Sequence, residues 1–557
     1  MSRRPEMTSR FDRAFRHICI AMVAVCASSC HGCGENNRTT SRRHPSQILR
    51  EAIYSDPGSF DPREQSEAET FSILYPIYET LVRVDDDGTI APLLSTSWEI
   101  DSGSRRIRFH LRPDVTFHPA ACLGDADYML SARDVQASIV RALSPGSTGR
   151  SLLSEVLVPP QPGTSNLAPT ELIRVIDQHT VEFSFARSPQ QLLERLALPY
   201  FFILPAKCIE RSPSALKHTP VGTGPFVLTQ VDAGKRVVLA RNDHYWKHDG
   251  ETALPRLAGI EFRVVPDRPT ALAELLAGKL DAVEVPPTLA RQLLQRDDSP
   301  YARFSALTAD ALDTHYLVFR TDRPPFKDNL PLRRALNYAV DKRRIVEHLL
   351  GGYALPSHGV FPPALFAERA PGAVYPHNTA RAASLLEAAG YPQGSGLPVL
   401  TLGIDNRPET EAVAVFVKEQ LAAIGVRVDL RVSDFSTLVT EAAQGVLDFF
   451  YLFVEGDHSG AFYAQQVSGP APSEGGLNFA HLQAAPLARM KDQALSAPSV
   501  DAKRGSQWVP FNDLAVQQAP WLFLYHTKRL RLIDPALVDY EHGPMQIRRY
   551  LTTHFVR

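Results

Sequence analysis

At 557 residues the chain is too long for one ordinary hydrophobic core, so two or more packed lobes are expected. Its 44% hydrophobic and 22% charged residues place it well outside disordered composition. The 59 Lys and Arg nearly balance 61 Asp and Glu, a net charge of -2, which argues against a general nucleic-acid binder because that role needs a concentrated basic field.

The first residues read as an export address. Arg3, Arg4, Arg10, Arg13 and Arg16 form a basic stretch, an apolar run follows from Ile18 to Ala27, and Ala27-Ser28-Ser29 precede Cys30. These are the parts of a secretory signal over residues 1–30, and the apolar run is too short to span a bilayer comfortably. The ending resembles a bacterial lipoprotein processing site with Cys30 as the lipidated first residue, although Ala27 stands where Leu is commonest. Residues 31–46 are polar and without periodicity, as in a flexible tether. Four of the six cysteines fall in this leading segment; whether the remaining two, Cys122 and Cys208, pair is left open by their spacing. No metal site is expected, because Cys30-His31-Gly32-Cys33 is only half of the paired C-x-x-C spacing and His244 and His248 lack a completing ligand set.

Beyond the tether, Gln47 to Ala52 reads as a strand and Asp56 to Pro62 as a turn-rich segment. Apolar residues at helical spacing (Ile73, Leu74, Ile77, Tyr78, Leu81) predict a helix over Phe71 to Val84, before a turn at Asp85 to Gly88. Ile107, Phe109 and Leu111 alternate as in a strand. Ser131 is placed to cap a helix from Ala132 to Leu143. In the second half, helices are expected around Leu332 to Leu336, from Asp341 to Leu350, and after a cap at Asn378. Val399 to Ile404, Glu409 to Ala423 and Val426 to Val432 read as strand, helix and strand, with the length of a parallel crossover unit.

Several stretches, in order, resemble the oligopeptide- and dipeptide-binding receptors of bacterial ABC importers. They include Tyr78-Glu79-Thr80-Leu81, Phe109 to His118 with Ser131 to Val135, Gly222-Thr223-Gly224-Pro225-Phe226, Asn242 to Trp246, Leu276 to Asp281, Arg333 to Leu336, and Leu385 to Pro392. Each is weak alone; their succession over residues 47 to 535 is specific. Most have a structural reason: Gly222 and Gly224 fit a close backbone approach, and Tyr245 and Trp246 read as packed aromatics. The resemblance implies an α/β, two-lobed periplasmic-binding-protein-like fold of class II with an extra subdomain in the first lobe. On that plan residues 47–303 form lobe I, with an insert around 93–205, 304–520 form lobe II, and 521–557 return to lobe I.

In peptide-binding relatives an aspartate in a Trp-x-x-Asp-Tyr segment pairs with the ligand's ammonium group. The corresponding stretch, Asp448 to His458, puts Leu452 in place of Trp and Glu455 in place of Asp, while a two-residue shift offers Asp457. Phe60, Asp61, Tyr75 and Tyr78 are further cleft candidates in the first lobe. Asn406 and Arg407 follow a strand at its C-terminal end, where Arg407 is suited to gripping a carboxylate. The expected function is that of an exported, monomeric receptor of the periplasm or cell envelope that passes peptides to a membrane permease, without cofactor or catalysis. A nickel chelate, a sugar or an opine is the alternative ligand within this class. An exported hydrolase is the alternative outside it, but neither G-x-S-x-G nor H-E-x-x-H occurs.

Overall fold

The computed structural model describes residues 47–556 except 65–67, 125–127, 148, 158–168, 187, 295–297, 367–373, 457–459, 475, 497–504 and 546. The signal, Cys30, the tether and Asp457 therefore lie outside the described residues.

One mixed sheet of 12 strands runs through both lobes. The strand Trp521–Ile533 joins its halves. Its first part pairs antiparallel with Asp313–Phe319, matching His315 to Tyr525 and Val318 to Trp521. Its second part pairs with Ala282–Val285 on one side and Ser305–Asp310 on the other. The chain thus crosses between lobes twice, once over residues 305–319 and once over 521–533. A strand buried on both faces carries a continuous apolar run, and Trp521 to Tyr525 is one.

In the first lobe Ile48–Ile53 lies parallel to Gly259–Val264, with Leu49, Glu51 and Ile53 on its buried side. A separate four-stranded antiparallel sheet has the order Ser95–Asp101, Arg106–Leu111, Thr180–Ser184 and Ile173–Asp177. Against it packs the helix Ala132–Ala142, where Asp134 accepts from the Ser131 backbone N–H (2.9 Å) and hydroxyl (2.6 Å). Cys122 and Cys208 form a disulfide across 86 residues, a bond suited to an oxidising compartment.

The helix predicted over Phe71 to Val84 is a correction. It spans Ala68–Leu74 and gives way to a turn over Tyr75 to Ile77 around Pro76, which lacks an N–H to continue the helical ladder. Val82–Val84 instead forms a hairpin with Ile90–Pro92. Between them three of the family-like motifs converge on Glu79, which is fully buried. Its carboxylate accepts from Thr223 Oγ1 (3.0 Å), Tyr245 OH (2.8 Å) and Trp246 Nε1 (3.0 Å). A methyl group at Gly222 would stand 2.0 Å from the Ile77 carbonyl oxygen, so only glycine permits this approach.

In the second lobe Leu400–Asp405, the helix Pro408–Ala422 and Val428–Ser433 make the expected parallel crossover, in register from Leu400 with Val428 to Asp405 with Ser433. Phe449–Glu455 lies between Leu400–Asp405 and Asp313–Phe319. Asn378 caps Thr379–Ala388 by accepting from the Arg381 N–H at 2.9 Å. The helix expected from Asp341 to Leu350 is a short α turn, Lys342–Arg344, followed by a wider π turn, Ile345–Leu349. Among the described residues no helix is long and apolar enough to cross a membrane.

Candidate functional site

The period of two along Phe449–Glu455 divides its side chains. Phe450, Leu452 and Val454 enter the core on one face of the second-lobe sheet, which includes Tyr316 and Phe523. Tyr451, Phe453 and Glu455 occupy the other face, where Asp313 lies opposite Glu455 and His315 opposite Phe453. His315 is stacked on Phe453 (5.5 Å between centroids) and on Tyr525 (4.5 Å).

Hydrogen bonds hold this surface. The Tyr451 hydroxyl lies 2.5 Å from His315 Nδ1 and 2.9 Å from the Tyr525 hydroxyl. Burial raises the pKa of both phenols, so they remain neutral hydroxyls. Asp313 accepts from the Thr527 backbone N–H at 2.7 Å and from its hydroxyl. Burial alone would raise Asp313, but His315 and the Thr527 donors outweigh it and hold the carboxyl below its usual range. The result is a rigid aromatic and polar floor beside the crossing strands.

Above this floor is a cavity of about 200 Å³ lined by charges of both signs, among them Arg268, Glu284, Arg407, Glu455, Lys528 and Arg529. Glu455 is partly exposed and pairs with the nearly buried Arg529. Arg407 grips the buried Asp405, with Nη2 2.7 Å from Oδ2, and its guanidinium lies 4.6 Å from the Phe453 ring centroid. Burial would raise Glu284, yet Arg529, Arg531 and Arg268 lower it to about 2. Glu284 therefore stays ionised and shares the field of Arg529.

A second cavity, of about 290 Å³, meets the first at Glu455. Phe71, Tyr75, Leu198 and Tyr200 come from the first lobe, Phe462 from the second, and Met545 from the C-terminal segment. Arg195 is its other charged lining residue. Two chambers, one charged and one mainly apolar, thus share Glu455 as a lining residue.

Of the residues singled out in the sequence, Glu455 and Arg407 come together on the charged cavity. Tyr75 lines the apolar one. Asn406 is exposed and is not among the lining residues of either. Leu452 is a correction: it is three residues from Glu455, so strand alternation sends it into the opposite core. Phe60 and Tyr78 are also corrections, buried in the first-lobe core with the Tyr78 hydroxyl donating to the Phe60 carbonyl at 3.4 Å. Asp61 is buried in a two-pronged pair with Arg141, one contact being 2.7 Å, and is committed to the fold. The sequence reading missed Arg529, Tyr200, Phe462 and Met545. Arg529 had one local signal, the basic run Lys528 to Arg531 in an otherwise apolar strand. Among the described residues no cluster of three or more His, Cys, Asp or Glu is placed to hold a metal.

Comparison with known proteins agrees with this architecture. The family model for bacterial extracellular solute-binding proteins, family 5 Middle, matches residues 89–466. Heme-binding protein A of Haemophilus influenzae is 24% identical, covering 94% of this chain and 95% of that protein. Di/tripeptide-binding protein 2 of Pseudomonas aeruginosa is 26% identical over 89% of this chain and 92% of its own. The structure of HbpA2 from Haemophilus parasuis superposes with a TM-score of 0.75 at 19% identity, covering 92% of this chain and 100% of that one.

Proposed function

The chain belongs to the bacterial extracellular solute-binding proteins of family 5, and from that membership we propose that it captures short peptides between its lobes and delivers them to an ABC-importer permease. The observation that carries this reading is the pairing of Glu455 and Arg407 on one small cavity. A peptide is a zwitterion. Its ammonium group finds a partner in Glu455, displacing Arg529, and its carboxylate meets Arg407 and the released Arg529. Each charge-assisted hydrogen bond contributes roughly 1.5–3 kcal/mol. The cavities, about 200 and 290 Å³, lie near the lower end of small-ligand sites, roughly 300–1,000 Å³.

The two antiparallel crossings give the lobes a hinge on which to close over the ligand. Binding energy realised only in the closed state shifts the population toward it, and that state is what a permease distinguishes. The relatives include proteins named for haem as well as for di- and tripeptides. The charge pattern favours peptides, because haem carries carboxylates but no ammonium group to match Glu455. In this reading the chain acts as a monomer, exported by its leading segment and tethered to the envelope through lipidated Cys30.

The test is native mass spectrometry of the purified chain, followed by calorimetry with free and N-acetylated dipeptides. Co-purified short peptides and roughly tenfold weaker binding after acetylation are expected. A single non-peptide mass, or retained haem absorbance without peptide binding, would overturn the proposal.

A further inference from the structure

We propose that the apolar chamber selects peptides whose first residue carries a large apolar side chain. This inference rests on the peptide reading and adds a ligand class to it. Glu455 lines both chambers. In a peptide the first side chain branches from the same carbon that bears the ammonium group. An ammonium held at Glu455 therefore sends the side chain and the main chain away from one point in different directions. The charged chamber contains Arg407 and suits the carboxylate end, which leaves the chamber beyond Glu455 for the side chain.

The walls of that chamber define what it accepts. Phe71 and Tyr200 meet edge to face with centroids 5.1 Å apart, and Tyr75 meets Phe202 in the same way at 5.3 Å. Such contacts fix the rings before a ligand arrives, so little ordering cost remains. Phe462 reaches the chamber from the second lobe, and Met545 and Ile547 from the C-terminal segment. The pocket is thus assembled from both lobes, and filling it favours their closure. Met545 adds a polarizable surface that adapts to rings and branched chains alike. Arg195 does not call for an acidic ligand, since it is nearly buried and already engaged within the protein.

The experiment is calorimetry on the full chain with Phe-Ala, Leu-Ala, Gly-Ala, Glu-Ala and Ala-Phe. Phe-Ala and Leu-Ala should bind roughly tenfold or more tightly than Gly-Ala, because only they bury a large apolar side chain. Ala-Phe should not share the advantage. In Leu152→Trp, where the indole would occupy the chamber from its wall, the ratio between Phe-Ala and Gly-Ala should fall toward one. A circular-dichroism melt verifies that this variant is folded; if it is not, the wild-type panel decides alone. Equal affinities across the panel, a preference for Glu-Ala, or an advantage for Ala-Phe equal to that of Phe-Ala would overturn the chamber assignment while leaving peptide capture standing. Failure to bind any peptide would overturn the underlying function as well.

Discussion

Arg529 and Arg531 stand two residues apart on the strand Trp521–Ile533, and each pairs with a glutamate, yet their surroundings differ. Arg531 Nη1 lies 3.0 Å from Glu51 and 2.7 Å from the Tyr540 hydroxyl, with Arg548 3.5 Å from the same carboxylate. All of these groups are buried. Burial would raise Glu51, but Arg548 and Arg531 outweigh it and keep the carboxyl ionised. Arg529 also has little exposure, but its partner Glu455 is 40% exposed and borders two cavities. An ion network whose shared carboxylate is fully buried holds the fold, although Arg531 and Arg548 also border a small cavity of about 50 Å³. A charge pair whose carboxylate opens onto a cavity can exchange one partner for a ligand.

The largest effect expected from this contrast is on Glu51. Glu51→Gln would take from the buried Arg548 and Arg531 the carboxylate they share, leaving Arg531 its 3.5 Å ion-pair contact with Glu284, a change that costs about 3–5 kcal/mol. Urea unfolding should show this loss, while peptide affinity of the folded fraction stays within about twofold. A stability loss below about 1 kcal/mol would erase the distinction between the two arginines.

Another enclosed cation sharpens the comparison, because among the described residues it has no ion-pair contact with a carboxylate. Lys342 donates to the carbonyls of Asn337 (3.3 Å), Val374 (3.0 Å) and Tyr375 (3.0 Å). Burial lowers its pKa from 10.5 to about 7, against a smaller opposing pull from Asp341. Between those values the unfolded chain binds the proton and the native one does not. This group's contribution to stability therefore rises with pH from about 7 to about 10.5, by at most about 1.4 kcal/mol per pH unit. Unfolding midpoints at two pH values within that window should rise in wild type and respond less in Lys342→Met. Identical slopes would show that the three carbonyls keep the ammonium charged throughout.

These contrasts explain what was legible in the sequence. The crossover Leu400–Asp405, Pro408–Ala422 and Val428–Ser433 was readable because each element has a local period and a local stop at Gly425. Pro76 carried the signal that shortens the first helix, but apolar spacing through Leu81 masked it; those residues are all buried, Ile73 and Leu74 within the helix and Ile77, Tyr78 and Leu81 in the turn and chain beyond it. Glu455 was legible through its match to the acidic position of the family's Trp-x-x-Asp-Tyr segment, and Arg407 through its place after the C-terminal end of a strand. Leu452 was misplaced because motif matching counts residues without asking which face of a strand they occupy. Arg529, Tyr200 and Met545 escaped because the chamber gathers distant segments, and no local period encodes such a meeting. Asp61 looked like a cleft acid only until its partner Arg141, 80 residues away, was in view.

The smallest effect is also the one that tests the open pair most directly. Glu455→Gln removes the proposed partner of the ligand ammonium but leaves Arg529 in the field of Glu284, whose carboxyl remains ionised. Stability should therefore change by less than about 0.5 kcal/mol, as for a partly exposed ion pair. Affinity for a free-amine dipeptide should fall about tenfold, or about 1.4 kcal/mol. An N-acetylated dipeptide, which has no ammonium group to lose, should bind both proteins alike. Asp457→Asn serves as the companion variant: a tenfold loss there, with Glu455→Gln unaffected, would move the amine partner two residues along the chain. If neither variant distinguishes free from acetylated peptides, the exposed carboxylate is a rim charge and the contrast with Glu51 is one of exposure alone.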